Sequence, residues 1–242
     1  MKTQLLDRKV ETKDVLQIIN ASTDDNKIIL LTGISGVGKS GLVEKLTQDA
    51  SFNQTILSVK VSKSSVDTIE NQQYFNALYK AVTKYAKNKV FDRVLSPTQQ
   101  SVKSIKNLIK ILVCIAKSKL GISDIAPLSE PEENDSIVRK KDYLLYILKK
   151  TNIIVDIENI QNIDTQSLEI LKELICESTQ KTFIFEYTLT EKSHEHFENL
   201  YKELREICSD IWCYKVEKMD FLIAKDLVPK GVYINDEELR SL

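Results

Sequence analysis

Glycine is scarce in this 242-residue chain, with six in all, about a third of the usual share. Proline is scarcer still at four, and three of these (Pro97, Pro127, Pro131) fall between residues 97 and 131. So few breakers exclude collagen-like, elastic and low-complexity chains, and point to regular, helix-rich structure. An excess of one charge is also lacking: 34 Lys and Arg stand against 35 Asp and Glu, a net −1. That balance leaves no basic footprint for nucleic acid or an anionic membrane. The four cysteines (Cys114, Cys176, Cys208, Cys213) have no CxxC spacing. They exclude a disulfide framework and are expected to be reduced, mostly buried thiols. The longest wholly apolar run, residues 111–116, is far short of the roughly 20 residues that span a bilayer. The opening MKTQLLDRKVETKD is too charged for a signal peptide, so a soluble, cytoplasmic protein is expected.

What is present is 42% hydrophobic and 29% charged residues, ordinary for a globular chain. Apolar positions predict a short helix over 10–20, then KIILLT at 27–32 as a buried strand. A helix is expected over 39–48, a strand over 55–61 and a long helix over 66–87. Further helices are expected over 101–120, closed by Gly121, and over 136–150. Strands at 152–158, 181–187 and 211–216 alternate with helices at 165–178 and 195–207. Strand–helix alternation of this kind predicts an α/β fold with a mainly parallel sheet of five strands.

Four of the six glycines lie within nine residues: Gly33, Gly36, Gly38 and Gly41. Gly33-Ile34-Ser35-Gly36-Val37-Gly38-Lys39-Ser40 fits G-x-x-x-x-G-K-[ST] between a strand and a helix. That is the phosphate-binding P-loop: glycines let backbone N–H groups wrap the phosphates, and the helix offers its positive end. Lys39 is expected on the β- and γ-phosphates and Ser40 on Mg²⁺. Gly41, just past the motif, is expected to let the helix start pack closely. A second metal-side carboxylate is required at the end of a neighbouring strand, and NIIVDIENIQNID supplies Asp156 and Glu158. Two positions apart on one strand, they share a face, and either suits Mg²⁺.

GISGVGKS, ENIQNID and LLDRKVE together resemble the ATPase module of STAND NTPases within the AAA+ class. The resemblance implies a three-layer α/β/α core over 1–217, with a helical insertion at about 62–150 and a partial helical lid over 218–242. It aligns Glu158 and Asn159 with the family's paired acids, followed by Ile160, Gln161 and Asp164, which favours Glu158 on the metal. Asp156 on the metal with Glu158 as base, matching D-x-E, is the alternative. Asn159 stands where relatives carry the acid that polarises the attacking water; an amide orients water without accepting its proton, so slow hydrolysis is expected. The resemblance also implies Arg8 near the base, against a plain surface arginine. It implies Thr188, or else Glu186, as γ-phosphate sensor. Arg205 would complete a neighbour's site, although a structural salt bridge is the expected role.

The function implied is a Mg²⁺-dependent ATP-binding switch in stress or antiviral defence. It would assemble as a homo-oligomer or with a partner protein through the insertion. A small-molecule kinase is the alternative, disfavoured because only five of the 34 basic residues are arginine; a scaffold that binds nucleotide with little hydrolysis is another. The His194 and His196 pair lacks further metal ligands and is expected to be solvated. The basic stretch 103–119 suits core packing better than a membrane surface.

Overall fold

A computed structural model describes residues 8–49, 52–60, 72–94, 131, 135–191 and 193–218. Five strands form one sheet: β1 (Lys27–Gly33), β2 (Thr55–Val59), β3 (Ile153–Ile157), β4 (Thr182–Thr188) and β5 (Asp210–Lys215). Their spatial order is β2-β3-β4-β1-β5, and every pairing is parallel. The helices are α1 (Lys9–Asn20), α2 (Lys39–Gln48), α3 (Gln73–Val94), α4 (Ile137–Lys150), α5 (Thr165–Glu177) and α6 (His194–Ile207). The α/β class, the five parallel strands and the layering follow the expectation from sequence. The expected helix over 101–120, its Gly121 cap, Cys114 and all of the lid over 218–242 except Lys218 lie outside the described residues.

Alternation along β1 separates the two cores. Ile28 and Leu30 face a cluster with Phe183, Phe185, Leu78, Leu148 and Leu174, drawn from β4, α3, α4 and α5. Ile29 and Leu31 face the opposite cluster with Val15, Leu42, Leu46 and Ile184, which brings α1 and α2 onto that side. All seven residues of β1 and all five of β3 are buried, as expected of parallel strands covered on both faces. The P-loop helix thus sits on one face, and the long helices sit on the other.

Polar side chains tie the layers where backbone groups lack partners. The buried Lys27 amine donates to the carbonyls of Ile18, Ile19 and Ala21, closing the C-terminal end of α1, where a cation suits the helix dipole. Asp164 caps α5 by accepting from the Ser167 N–H at 2.9 Å, and also accepts from the Gln72 N–H at 2.9 Å. Ser167 Oγ accepts from the Phe75 N–H at 2.9 Å. The start of α5 therefore satisfies the first free amides of α3.

Two expectations are corrected. Cys208 is buried, but Cys176 and Cys213 are exposed, because α5 turns its last residues outward and β5 is an edge strand. The carboxylate-bearing strand β3 is not the neighbour of β1; β4 lies between them, so the acids of two strands, not one, approach the P-loop.

Candidate functional site: a phosphate-binding loop

The site forms where β1 ends and α2 begins. Gly36 and Gly38 have φ of 76° and 94°, left-handed conformations that glycine adopts without strain. Gly33 is required for space: a Cβ there would lie 2.7 Å from the Val216 carbonyl oxygen and 2.9 Å from Val37 Cγ1. Its strand end is held on both sides, because Leu189 N–H donates to Gly33 O at 2.9 Å and Val216 N–H to Thr32 O at 2.7 Å. At the first turn of α2, the Lys39 ammonium donates to the carbonyls of Gly33 and Ile34, each at 3.0 Å. Burial pulls its pKa down, and the Glu186 carboxylate opposes that. Ser40 Oγ donates to Glu186 Oε2 at 2.7 Å.

Three acids gather around Ser40. Asp156 is 1% exposed, and its carboxyl oxygens make no well-formed hydrogen bond; the Ser58 hydroxyl, beside it in the sheet register, is near enough to favour its charged form. Burial pushes that carboxyl well above the ordinary range, and the Glu186 charge reinforces the shift. Glu186, in the middle of the otherwise apolar β4, is 2% exposed, and its Oε1 is also unpartnered. Burial pushes it up to about 7, with the Ser40 hydrogen bond pulling the other way. Glu158 lies one residue past β3 and pairs with the exposed Lys60 ammonium at 3.0 Å. Asp156, Glu158, Ser40, Gly41 and Ser58 line a cavity of about 310 Å³ beside α2.

Behind these acids, Asn159 has φ 54° and its Oδ1 accepts from Thr188 Oγ1 at 3.2 Å. Gln161 Oε1 accepts from the Thr188 N–H at 3.1 Å, and Tyr74 of α3 donates to the Asn159 carbonyl at 3.0 Å. The end of β4, the turn after β3 and the start of α3 are therefore one hydrogen-bonded unit.

The KAP family P-loop domain matches residues 8–175, well over half of the chain. This chain belongs to the KAP family of P-loop NTPases. The P-loop NTPase class read from the sequence, and with it nucleotide binding, rest on that match. Among solved structures the KAP chain is similar to a STAND signal-transduction ATPase with a tetratricopeptide-repeat sensor from Pyrococcus horikoshii. Identity is 15%, the TM-score is 0.39, and the similarity covers 97% of this chain and 26% of that protein. No curated protein matches the chain.

In this KAP domain Lys39, Ser40, Asp156 and Glu158 come together around the loop, while Asn159 and Thr188 form the layer behind. Arg8 is not a surface arginine: it is 3% exposed and donates to the carbonyls of Val37 and Glu217 and to Glu11. Gly41 does not serve close packing, since a Cβ there meets nothing within 4 Å; it lines the cavity instead. Arg205 lies over the Tyr201 ring at 5.7 Å and forms no ion pair among the described residues, so the expected salt bridge gives way to a ring contact. His194 and His196 are both exposed, and His196 Nδ1 lies 3.0 Å from the Tyr187 hydroxyl.

Sequence reasoning gave Glu186 only a sensor's place; its visible signal was a lone acid inside an apolar strand. The donor set suits a hard divalent cation, since a hydroxyl and buried, unpartnered carboxylate oxygens are Mg²⁺ ligands. Among the described residues no three His, Cys, Asp or Glu side chains are spaced to hold a metal alone. Phosphate and water oxygens would complete the shell, as is usual for Mg²⁺. No helix among the described residues is long and apolar enough to cross a membrane.

Proposed function

We propose that this KAP domain binds Mg²⁺·ATP, hydrolyses it slowly, and uses the nucleotide state as a switch. The observation that carries this reading is the P-loop itself, with Lys39 directed at the loop carbonyls and Ser40, at the head of α2, lining one cavity with Asp156. Phosphate oxygens would replace the Gly33 and Ile34 carbonyls as acceptors for Lys39. The backbone N–H groups of Gly36 to Ser40 would surround them at the positive end of α2. Ser40 and Asp156 would hold Mg²⁺, which when bound neutralises charge on the β- and γ-phosphates. Glu158, which lines the same cavity, would take the proton of the attacking water. The amide of Asn159 orients without accepting that proton, in keeping with slow turnover.

The switch reading rests on the link from Thr188 through Asn159 to Tyr74. A contact of Thr188 with the γ-phosphate would alter the support of α3, and such differential contacts are what shift a two-state element. A stress or antiviral role belongs to this same reading.

The test combines nucleotide binding, turnover and light scattering. Lys39→Ala is expected to weaken ATP binding by about 10- to 100-fold, the cost of a lost charge-assisted hydrogen bond. Glu158→Gln is expected to keep binding and to lower turnover by about 100-fold or more. A particle mass that rises with Mg²⁺·ATP in Glu158→Gln supports the switch. Unchanged mass with intact binding overturns the switch, and absence of binding by the wild-type protein overturns the whole reading.

A further inference from the structure

Glu186 is the one acid of the site not expected on the metal, and it is the one in direct contact with the loop. Its Oε2 accepts from Ser40 Oγ at 2.7 Å, while its Oε1 is buried and has no partner. It is carried by β4, which lies between the strand of the P-loop and the strand of Asp156. In the sheet register Glu186 stands beside Leu31, two residues before Gly33, and Ile184 stands beside Asp156. Two buried acids, on adjacent strands, therefore leave three carboxyl oxygens without a well-formed hydrogen bond behind Ser40, with only the Ser58 hydroxyl near the Asp156 carboxyl. Unpartnered buried carboxylates of this kind are costly unless a cation meets them. The nearby ammonium of Lys39 is directed at the Gly33 and Ile34 carbonyls. Glu158, by contrast, already has the ammonium of Lys60.

We propose that Glu186 is a metal-side carboxylate of this site, acting with Ser40 and Asp156 to set its affinity for the divalent cation. This rests on the Mg²⁺·ATP reading above and deepens it. Glu186 then has two tasks. Its carboxylate holds the Ser40 hydroxyl in the rotamer that faces the cation, and its free oxygen supplies a second negative charge beside that of Asp156. The cost of burying two carboxylates is what the cation relieves, so cation and nucleotide binding are coupled more tightly than with Asp156 alone.

The experiment titrates Mn²⁺ into the full chain with ADP, reading bound Mn²⁺ by electron paramagnetic resonance and ADP affinity separately in EDTA. Glu186→Gln is expected to weaken Mn²⁺ affinity about tenfold or more while ADP affinity in EDTA is unchanged or higher. Glu158→Gln is expected to leave Mn²⁺ affinity within about twofold of wild type. Glu186→Asp, which keeps the charge but shortens its reach, is expected to fall between; it also guards against a folding defect in the glutamine variant. Equal Mn²⁺ affinity in wild type, Glu186→Gln and Glu186→Asp overturns this inference alone. A loss confined to Glu158→Gln overturns it in favour of the other acid. If the wild-type protein binds no ADP in EDTA or in Mn²⁺, the Mg²⁺·ATP reading falls and this inference falls with it.

Discussion

At the scale of single residues, burial makes the acids of the site hold on to their protons. The Glu186 carboxyl is pushed from its ordinary 4.5 up to about 7, and Asp156 is shifted in the same direction. Between those two values the folded protein holds a proton that the unfolded chain has released, so stability falls as pH rises toward 7 and then levels. A shift of that size corresponds to about 3 kcal/mol at full effect. Urea unfolding in EDTA is therefore expected to give a lower midpoint at pH 8 than at pH 5, with Glu186→Gln removing much of the difference. Equal slopes in the two proteins would contradict this. The loop residues Gly33 to Ser40 were legible in the sequence because they are contiguous and the chemistry dictates their spacing. Glu186 was legible only as a lone acid within an apolar strand, because its partner Ser40 is 146 positions away. The exposure of Cys176 and Cys213 had no local signal either, since it depends on which face of α5 meets the sheet and on which strand forms the edge.

At the scale of elements, side-chain caps decide how α3 and α5 meet. Asp164 serves two backbone amides, Ser167 and Gln72. Burial would raise its pKa, but the hydrogen bonds from Ser167, Gln72 and Tyr74 hold it below the ordinary value. Asp164→Ala removes a cap and leaves a second amide unsatisfied. It is expected to destabilise the protein by about 1–3 kcal/mol in urea unfolding. A change under about 0.5 kcal/mol would show that water replaces both bonds. The elements themselves were readable: β1, β3 and β4 are short β-branched or aromatic runs, and the helices carry apolar residues at helical spacing. Asp164 was aligned as a motif residue, but its capping role needed the position of Gln72, which only the packed helices reveal.

At the scale of the whole molecule, the sheet order β2-β3-β4-β1-β5 was the part least available to sequence reasoning. Alternation and run length give each strand but not its neighbour. That order puts Ile184 at the centre of the sheet, fully buried in the cluster shared with α1 and α2. Ile184→Ala is expected to cost about 2–5 kcal/mol. Trp212→Ala, on the edge strand and 45% exposed, should cost much less; a smaller loss for Ile184→Ala in thermal or urea unfolding would place the main core elsewhere. Arg8 reaches across the finished molecule to the carbonyls of Val37 and Glu217, the latter 209 positions away. Closing so long a loop is entropically unfavourable until the strands between are paired. The clasp over the P-loop is therefore expected to form late in folding. A chain still leaving the ribosome would have its glycine loop synthesised early but locked into shape only after β5 has emerged.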